Sequence, residues 1–176
     1  MGSVTNSGTA EITNQLEYDD EVAYEANRKI YDLSRRHDER PWCLTVSFTH
    51  PHDPYLARKK YWDLYEDCSH LLPEVSAMSY GEHDPHSRRI LDSSDWNNFN
   101  ISEKNIKNSR RAYFSNISYL DDKIGEILDT LQKTNQEAVI IFVSDHGDMI
   151  GERGLWFKMS FFESSSRVPL MISSTV

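Results

Sequence analysis

Ala138-Val139-Ile140-Ile141-Phe142-Val143-Ser144 is a nearly unbroken apolar run, and Asp145-His146-Gly147-Asp148 follows it directly. A short run of this kind, rich in β-branched residues, predicts a parallel strand covered on both faces. Ligands of open α/β sheets sit outside the carboxyl ends of the strands. An acid and an imidazole at such an end are therefore the first candidates for a site. Gly147 predicts a sharp turn at positive φ that leaves both side chains facing one space.

Working outward, Tyr113, Ile117, Leu120, Ile124, Ile127, Leu128 and Leu131 fall on one face of a helix predicted over 105–133. Val22, Ala26, Ile30 and Leu33 make the apolar stripe of an earlier helix, Tyr18 to His37. Cys43 to Thr49 is short, β-branched and largely apolar, and predicts a buried strand. His50-Pro51-His52-Asp53-Pro54-Tyr55 must then leave the strand, because its two prolines cannot continue it. A short helix is expected over 57–66, a polar excursion from the sheet over 70–102, and a third strand from Val168 to Ser173. Residues 1–16 carry few large apolar groups and read as a flexible tail, which leaves 17–176 as the body. The order of elements gives an α/β class, with a mostly parallel sheet flanked by helices.

Composition narrows the function. Of 176 residues, 38% are hydrophobic and 11% aromatic, enough for a core. The net charge of −9 excludes a general nucleic-acid binder, which needs a basic face. No apolar run approaches the roughly 20 residues of a membrane span, and Met1 to Leu16 holds no secretory h-region. Cys43 and Cys68 have no CxxC spacing, which argues against a disulfide framework and a cysteine-rich zinc site, and a reducing, cytoplasmic setting is expected. Neither thiol has a basic neighbour pattern, and Cys43 is expected to pack in the interior.

Three constellations carry chemistry. Asp145 and His146 together offer a carboxylate oxygen and an imidazole nitrogen to a divalent ion that takes its other ligands elsewhere; the alternative is a capping acid beside a surface histidine. The 50–55 loop presents two histidines on a proline-stiffened turn, suited to proton transfer or else merely solvent-facing. Lys158, after Gly151-Glu152-Arg153-Gly154, offers a point charge to a sulfate or phosphate, or is an ordinary surface lysine. Trp156, Phe157, Phe161 and Phe162 read as core, although a quaternary ammonium would favour such faces. Asp121 and Asp122 are expected on a solvated or helix-packing face, and Glu163 is expected to pair with Arg167.

The longest block is Ser144-Asp145-His146-Gly147-Asp148-Met149-Ile150-Gly151-Glu152-Arg153-Gly154-Leu155-Trp156-Phe157-Lys158, running on to Arg167-Val168-Pro169-Leu170. With Ser47 to Tyr55, Asp84 to Arg89 and Tyr119 to Gly125, it resembles the sulfatase family of the alkaline-phosphatase-like superfamily, in particular its choline sulfatases. The resemblance spans Tyr18 to Ile172 and implies the central part of that fold.

It further implies Asp145 and His146 as metal ligands, His52 as the residue that contacts the ester and protonates the leaving alcohol, and Lys158 as the cation on the sulfate oxygens. His52 and Lys158 would thus be both catalytic and substrate-binding, with His50 a supporting candidate. The implied reaction is hydrolysis of choline sulfate to choline and sulfate, with a small-molecule partner, no nucleic acid and no membrane. The longer enzyme is open to oligomerisation. The implied cofactors are a divalent ion (calcium first, manganese or magnesium as alternatives) and a formylglycine made from Cys or Ser.

That residue's Cys/Ser-x-Pro/Ala-x-Arg motif is absent, since no Cys or Ser stands four residues before any of the eleven arginines. The family's N-terminal aspartates are missing too. The isolated chain is therefore expected to be inactive. The alternatives are a phosphonate monoester or phosphodiester hydrolase of the same superfamily, or a non-catalytic remnant.

Overall fold

The computed structural model describes residues 1–38, 40–66 and 71–174, without the side chain of Asn97. Two helices form its frame. Helix α2, Asn14–Arg35, starts where the Thr13 hydroxyl accepts from the Leu16 N–H at 3.1 Å. The helix begins earlier than its apolar stripe suggested, and its buried line runs Leu16, Asp19, Ala23, Ala26, Ile30. Helix α5, Glu103–Lys133, is capped by Ser102 and Asn105. Its buried residues are mainly small or polar: Ser109, Ala112, Ser115, Asn116 and Tyr119. Ile117 and Leu128 of the predicted apolar face are instead exposed. Small residues let other backbones approach the helix closely. Asn116 Nδ2 donates to the Leu56 carbonyl at 3.1 Å, and Ser109 Oγ to that of Val4 at 3.4 Å.

Residues 1–16, expected to be a tail, pack on the body. Helix α1 is Gly2–Thr5, with Val4 fully buried, and strand β1, Gly8–Thr9, pairs in parallel with β2, Leu56–Ala57. The missed signal is one aliphatic side chain at the right depth rather than a periodic stripe. Helix α3, Lys59–Trp62, and a 3-10 turn, Asp63–Tyr65, follow β2. Asp122 of α5 accepts from Tyr61 Oη at 2.7 Å and from Lys60 at 3.1 Å, so it is a packing contact between helices. The excursion over 70–102 holds α4, Pro85–Ser93, in which Asp84 caps the helix and Pro85 opens it. Cys68 and His70 lie outside the described residues.

The sheet departs from expectation. Strand β3, Val139–Val143, pairs antiparallel with β4, Leu170–Ser174. The described ladders are thus one short parallel pair and one antiparallel ribbon, and not a mostly parallel sheet. Residues 43–49 carry no regular secondary structure and join neither ladder. Strand formation needs a neighbour for its N–H and C=O groups, and none lies beside them among the described residues. Val139, Ile141, Val143, Leu170 and Ile172 are exposed, and so is Cys43. Between β3 and β4 lie a 3-10 turn, Glu152–Gly154, and helix α6, Glu163–Ser166. Glu163 faces Arg167 at 3.8 Å as expected. No described helix is long and apolar enough to cross a membrane.

The main core joins Val4, Tyr55, Ala57, Ile90, Leu91, Trp96, Ala112, Met149, Ile150, Leu155 and Trp156. One buried ion pair anchors the 149–155 turn to α5. Arg110 Nη1 donates to Glu152 Oε1 at 3.1 Å and to the Ile150 carbonyl at 3.2 Å. Glu152 also accepts from the N–H groups of Glu74 and Val75 at 3.0 and 2.9 Å. Removing one partner of such a pair strands the other charge. Glu152→Ala is therefore expected to destabilise the chain by about 3–5 kcal/mol, read by urea unfolding followed through the buried tryptophans. A loss below about 1 kcal/mol would show the pair to be dispensable.

Candidate functional site

The candidate residues come from three places in the chain. Asp145 and His146 stand just past the carboxyl end of β3, as the sequence suggested. The amide of Gly147 donates to the Ser165 carbonyl at 2.8 Å. A Cβ at Gly147 would lie 2.1 Å from the Ser164 carbonyl oxygen. This glycine is thus required by close approach and not by positive φ, which belongs to Gly151 and Gly154. The contact folds the 147–165 segment back on itself. Ser165 Oγ then donates to the Lys158 carbonyl at 2.8 Å, which returns Lys158 to the neighbourhood of residue 146.

The 50–55 loop joins this segment through Tyr55. Its side chain is fully buried, its hydroxyl donates to Asp148 Oδ2 at 2.8 Å, and its ring stacks on Phe157 at 6.3 Å and 9°. Burial raises the Asp148 carboxyl, against the hydrogen bonds from the Ile150 N–H and the Tyr55 hydroxyl. Burial likewise raises the Tyr55 phenol, with Asp148 adding to it. The phenol therefore stays protonated and acts as the donor.

The outcome is convergence. Lys158 Nζ lies 2.6 Å from His52 Nε2, and the His52 ring centroid is 6.3 Å from that of His146. An ammonium has only hydrogens to offer, so Nε2 is the acceptor and the His52 proton sits on Nδ1. Nδ1 in turn donates to the Asp53 carbonyl at 2.9 Å, with Asp53 Oδ1 at 3.1 Å. Phe161, expected in the core, is 91% exposed. It lines a cleft with Asp84 and His86.

His146 Nδ1 is 2.8 Å from the Gly147 carbonyl, which can only accept. Its Nε2 therefore keeps a free lone pair, 3.6 Å from Asp145 Oδ2. Imidazoles that bind metals are oriented in this way. One hard carboxylate and one oriented imidazole fit a divalent ion as two of its donors. Among the described residues no third His, Cys, Asp or Glu joins them.

His50 is not at the surface. It is buried behind the loop, with Nδ1 donating to Asp19 Oδ2 at 2.6 Å. Asp19 also accepts from Thr49 N, Thr49 Oγ1 and His50 N at 2.8, 3.0 and 3.0 Å. Burial alone would raise the Asp19 carboxyl, but the bonds from His50 and Thr49 and the His50 charge outweigh it and hold it below its ordinary value. Sequence reasoning missed Asp19, Asp53, Tyr55 and Asp148. For Asp19 a signal existed: an acid stands on the buried line of an amphipathic helix.

The sulfatase family profile matches residues 3–175. The chain belongs to the sulfatase family. It is 66% identical to a choline-sulfatase of Rhizobium meliloti (strain 1021), over 98% of this chain and 35% of that protein. It is 34% identical to an arylsulfatase of Clostridium perfringens, over 83% of this chain and 30% of that protein. It thus spans about a third of the length of these relatives. Among solved structures, a phosphonate monoester hydrolase of Agrobacterium radiobacter superposes with a TM-score of 0.66. That match has 23% identity, covers 86% of this chain and 32% of that one, and shows a shared fold. The α/β class and the superfamily expected from the sequence are both met, and the long block from Ser144 lies within the matched region.

Two measurements follow from this geometry. Asp19 has a folded-state pKa below its unfolded value of about 3.9, so its contribution is complete above pH 4 and disappears as the pH falls through the folded pKa. Acid unfolding of the wild-type chain should steepen below pH 4, and Asp19→Asn should flatten that limb. Added Mn²⁺ should broaden the NMR signals of Asp145 and His146 ahead of all others, and Asp145→Asn should remove the effect. Uniform broadening over the acidic surface would show that the pair is no preferred site.

Proposed function

We propose that this chain carries part of the active site of a sulfuric ester hydrolase of choline-sulfatase type, which converts choline sulfate and water to choline and sulfate. The single observation that carries the reading is the approach of Lys158 to His52 at 2.6 Å beside the His146 ring. The 66% identity to a choline-sulfatase supports the substrate. The exposed free thiol of Cys43 suits a reducing, cytoplasmic setting.

Sulfatases use a divalent metal ion and a formylglycine, which supply charge neutralisation and the nucleophile. In this reading Asp145 and His146 would hold the ion, with calcium the first choice and manganese or magnesium also suited to these donors. The chain's own residues do the rest. A bound ester would take the place of the Lys158–His52 contact. The ammonium turns to the non-bridging oxygens, where negative charge is concentrated. The imidazole, held through Nδ1 by Asp53, directs Nε2 to the bridging oxygen. Once the ammonium has turned away, Nε2 takes a proton from solvent, gives it to that oxygen as the alcohol leaves, and returns to the Nδ1–H form. The open face of the cluster admits a small ester.

Sulfate titration with NMR detection tests this. Sulfate should shift the His52 and Lys158 signals, and Lys158→Ala should weaken binding about ten-fold or more, the worth of one charge-assisted hydrogen bond. The chain by itself should release no sulfate from choline sulfate, because no Cys or Ser precedes an Arg at the required spacing. Sulfate binding that ignores both residues, or turnover by this chain alone, would overturn the assignment.

A further inference from the structure

His52 is held from behind by a single helix. Gln15 and Asp19 lie one turn apart on α2 and face the same way. Asp19, fully buried, gathers four donors from Thr49 and His50, which are the residues that open the loop. A carboxylate offers about four lone-pair sites, so Asp19 is saturated by this task. Gln15 Nε2 donates to the Asp53 carbonyl at 2.8 Å at the other end of the loop. That same carbonyl accepts from His52 Nδ1 at 2.9 Å. The His52 amide closes the turn by donating to the Thr49 carbonyl at 3.1 Å. Ser3 Oγ completes the arrangement by holding Asp53 Oδ2 at 2.6 Å, leaving Oδ1 beside His52.

We propose that Gln15 and Asp19 are the positioning residues that set both the orientation and the tautomer of His52. The proposal rests on the reading of His52 as the ester-facing imidazole. Five residues, 49–53, are tied at both ends to one rigid helix, and the one ring left free to face outward is that of His52, whose side chain is 41% exposed. The proton location follows from the Asp53 carbonyl, because a carbonyl can only accept. If that carbonyl turns away, the Nδ1–H tautomer loses its main partner. The alternative tautomer then aims an N–H at the Lys158 ammonium, donor against donor. An uncharged surface turn would have no need of a buried carboxylate with four bonds, since burying a charge is costly unless it is fully paired.

The test reads the ring directly and needs no turnover, so failure of the hydrolase reading would not affect it. The side-chain ¹⁵N signals of His52 are recorded in the 176-residue chain at about pH 8, above the ordinary imidazole pKa of about 6.5. The wild-type chain should show two well-separated nitrogens, with Nδ1 protonated. Asp19→Asn and Gln15→Ala should each move the two signals towards one another. A purely structural role would lower the melting temperature and leave the tautomer unchanged. If Asp19→Asn does not fold, Gln15→Ala decides alone, because Gln15 is only half-buried and replacing it spares the core. His52 signals that coincide with wild type in every folded variant would overturn the proposal.

Discussion

The hydrogen bond from Tyr55 to Asp148 is the constraint on which the site depends. It joins two loops that are 93 residues apart in the chain. On the Tyr55 side it ends the proline-bounded turn that carries His52. On the Asp148 side it lies two residues past His146. The same ring stacks on Phe157, the neighbour of Lys158. One buried phenol therefore touches all three stretches that supply candidate side chains. A buried hydroxyl must find a partner, and a buried carboxylate must find a donor. Each satisfies the other, and the fully buried phenol ring gains the apolar burial that neither polar group offers.

Around that pin the site is built from groups whose free atoms are settled by what they already bond. His146 is held at Nδ1 by a carbonyl and His52 by another, so both present Nε2 outward. His50 has the reverse fate: Asp19 takes its Nδ1 in the interior, and the residue supports the loop instead of facing solvent. Two histidines two residues apart thus differ in role because the chain reverses between them. The exposed side chains at the rim, Lys158 and Asp145, gain little stability from where they stand. In the proposed reading they serve instead to bind an anion and a cation.

Much of this was legible in the residues. The two long helices, β3 and β4 followed from apolar periodicity and runs, and the candidate side chains followed from their position after strands. What failed did so for identifiable reasons. Residues 43–49 have strand composition, but a strand exists only against a neighbour. The apolar stripe of α5 was read as its buried face, yet close backbone approach selected the line of Ser109, Ala112, Ser115 and Asn116. Gly147 was read as a conformational requirement, and it proved to be a steric one.

The residues alone determined which chemistry the chain can offer: an acid beside an imidazole, a proline-stiffened histidine and a distant lysine, each set after or between regular elements. Local patterns suffice for that, because side-chain chemistry and helical period are properties of short stretches. Only the tertiary structure decided that these groups meet, which ring nitrogen of each histidine stays free, and that Asp19 belongs to the loop it holds. Those outcomes depend on contacts between stretches far apart in the chain, and burial and hydrogen-bond satisfaction select among them only once the chain has closed on itself.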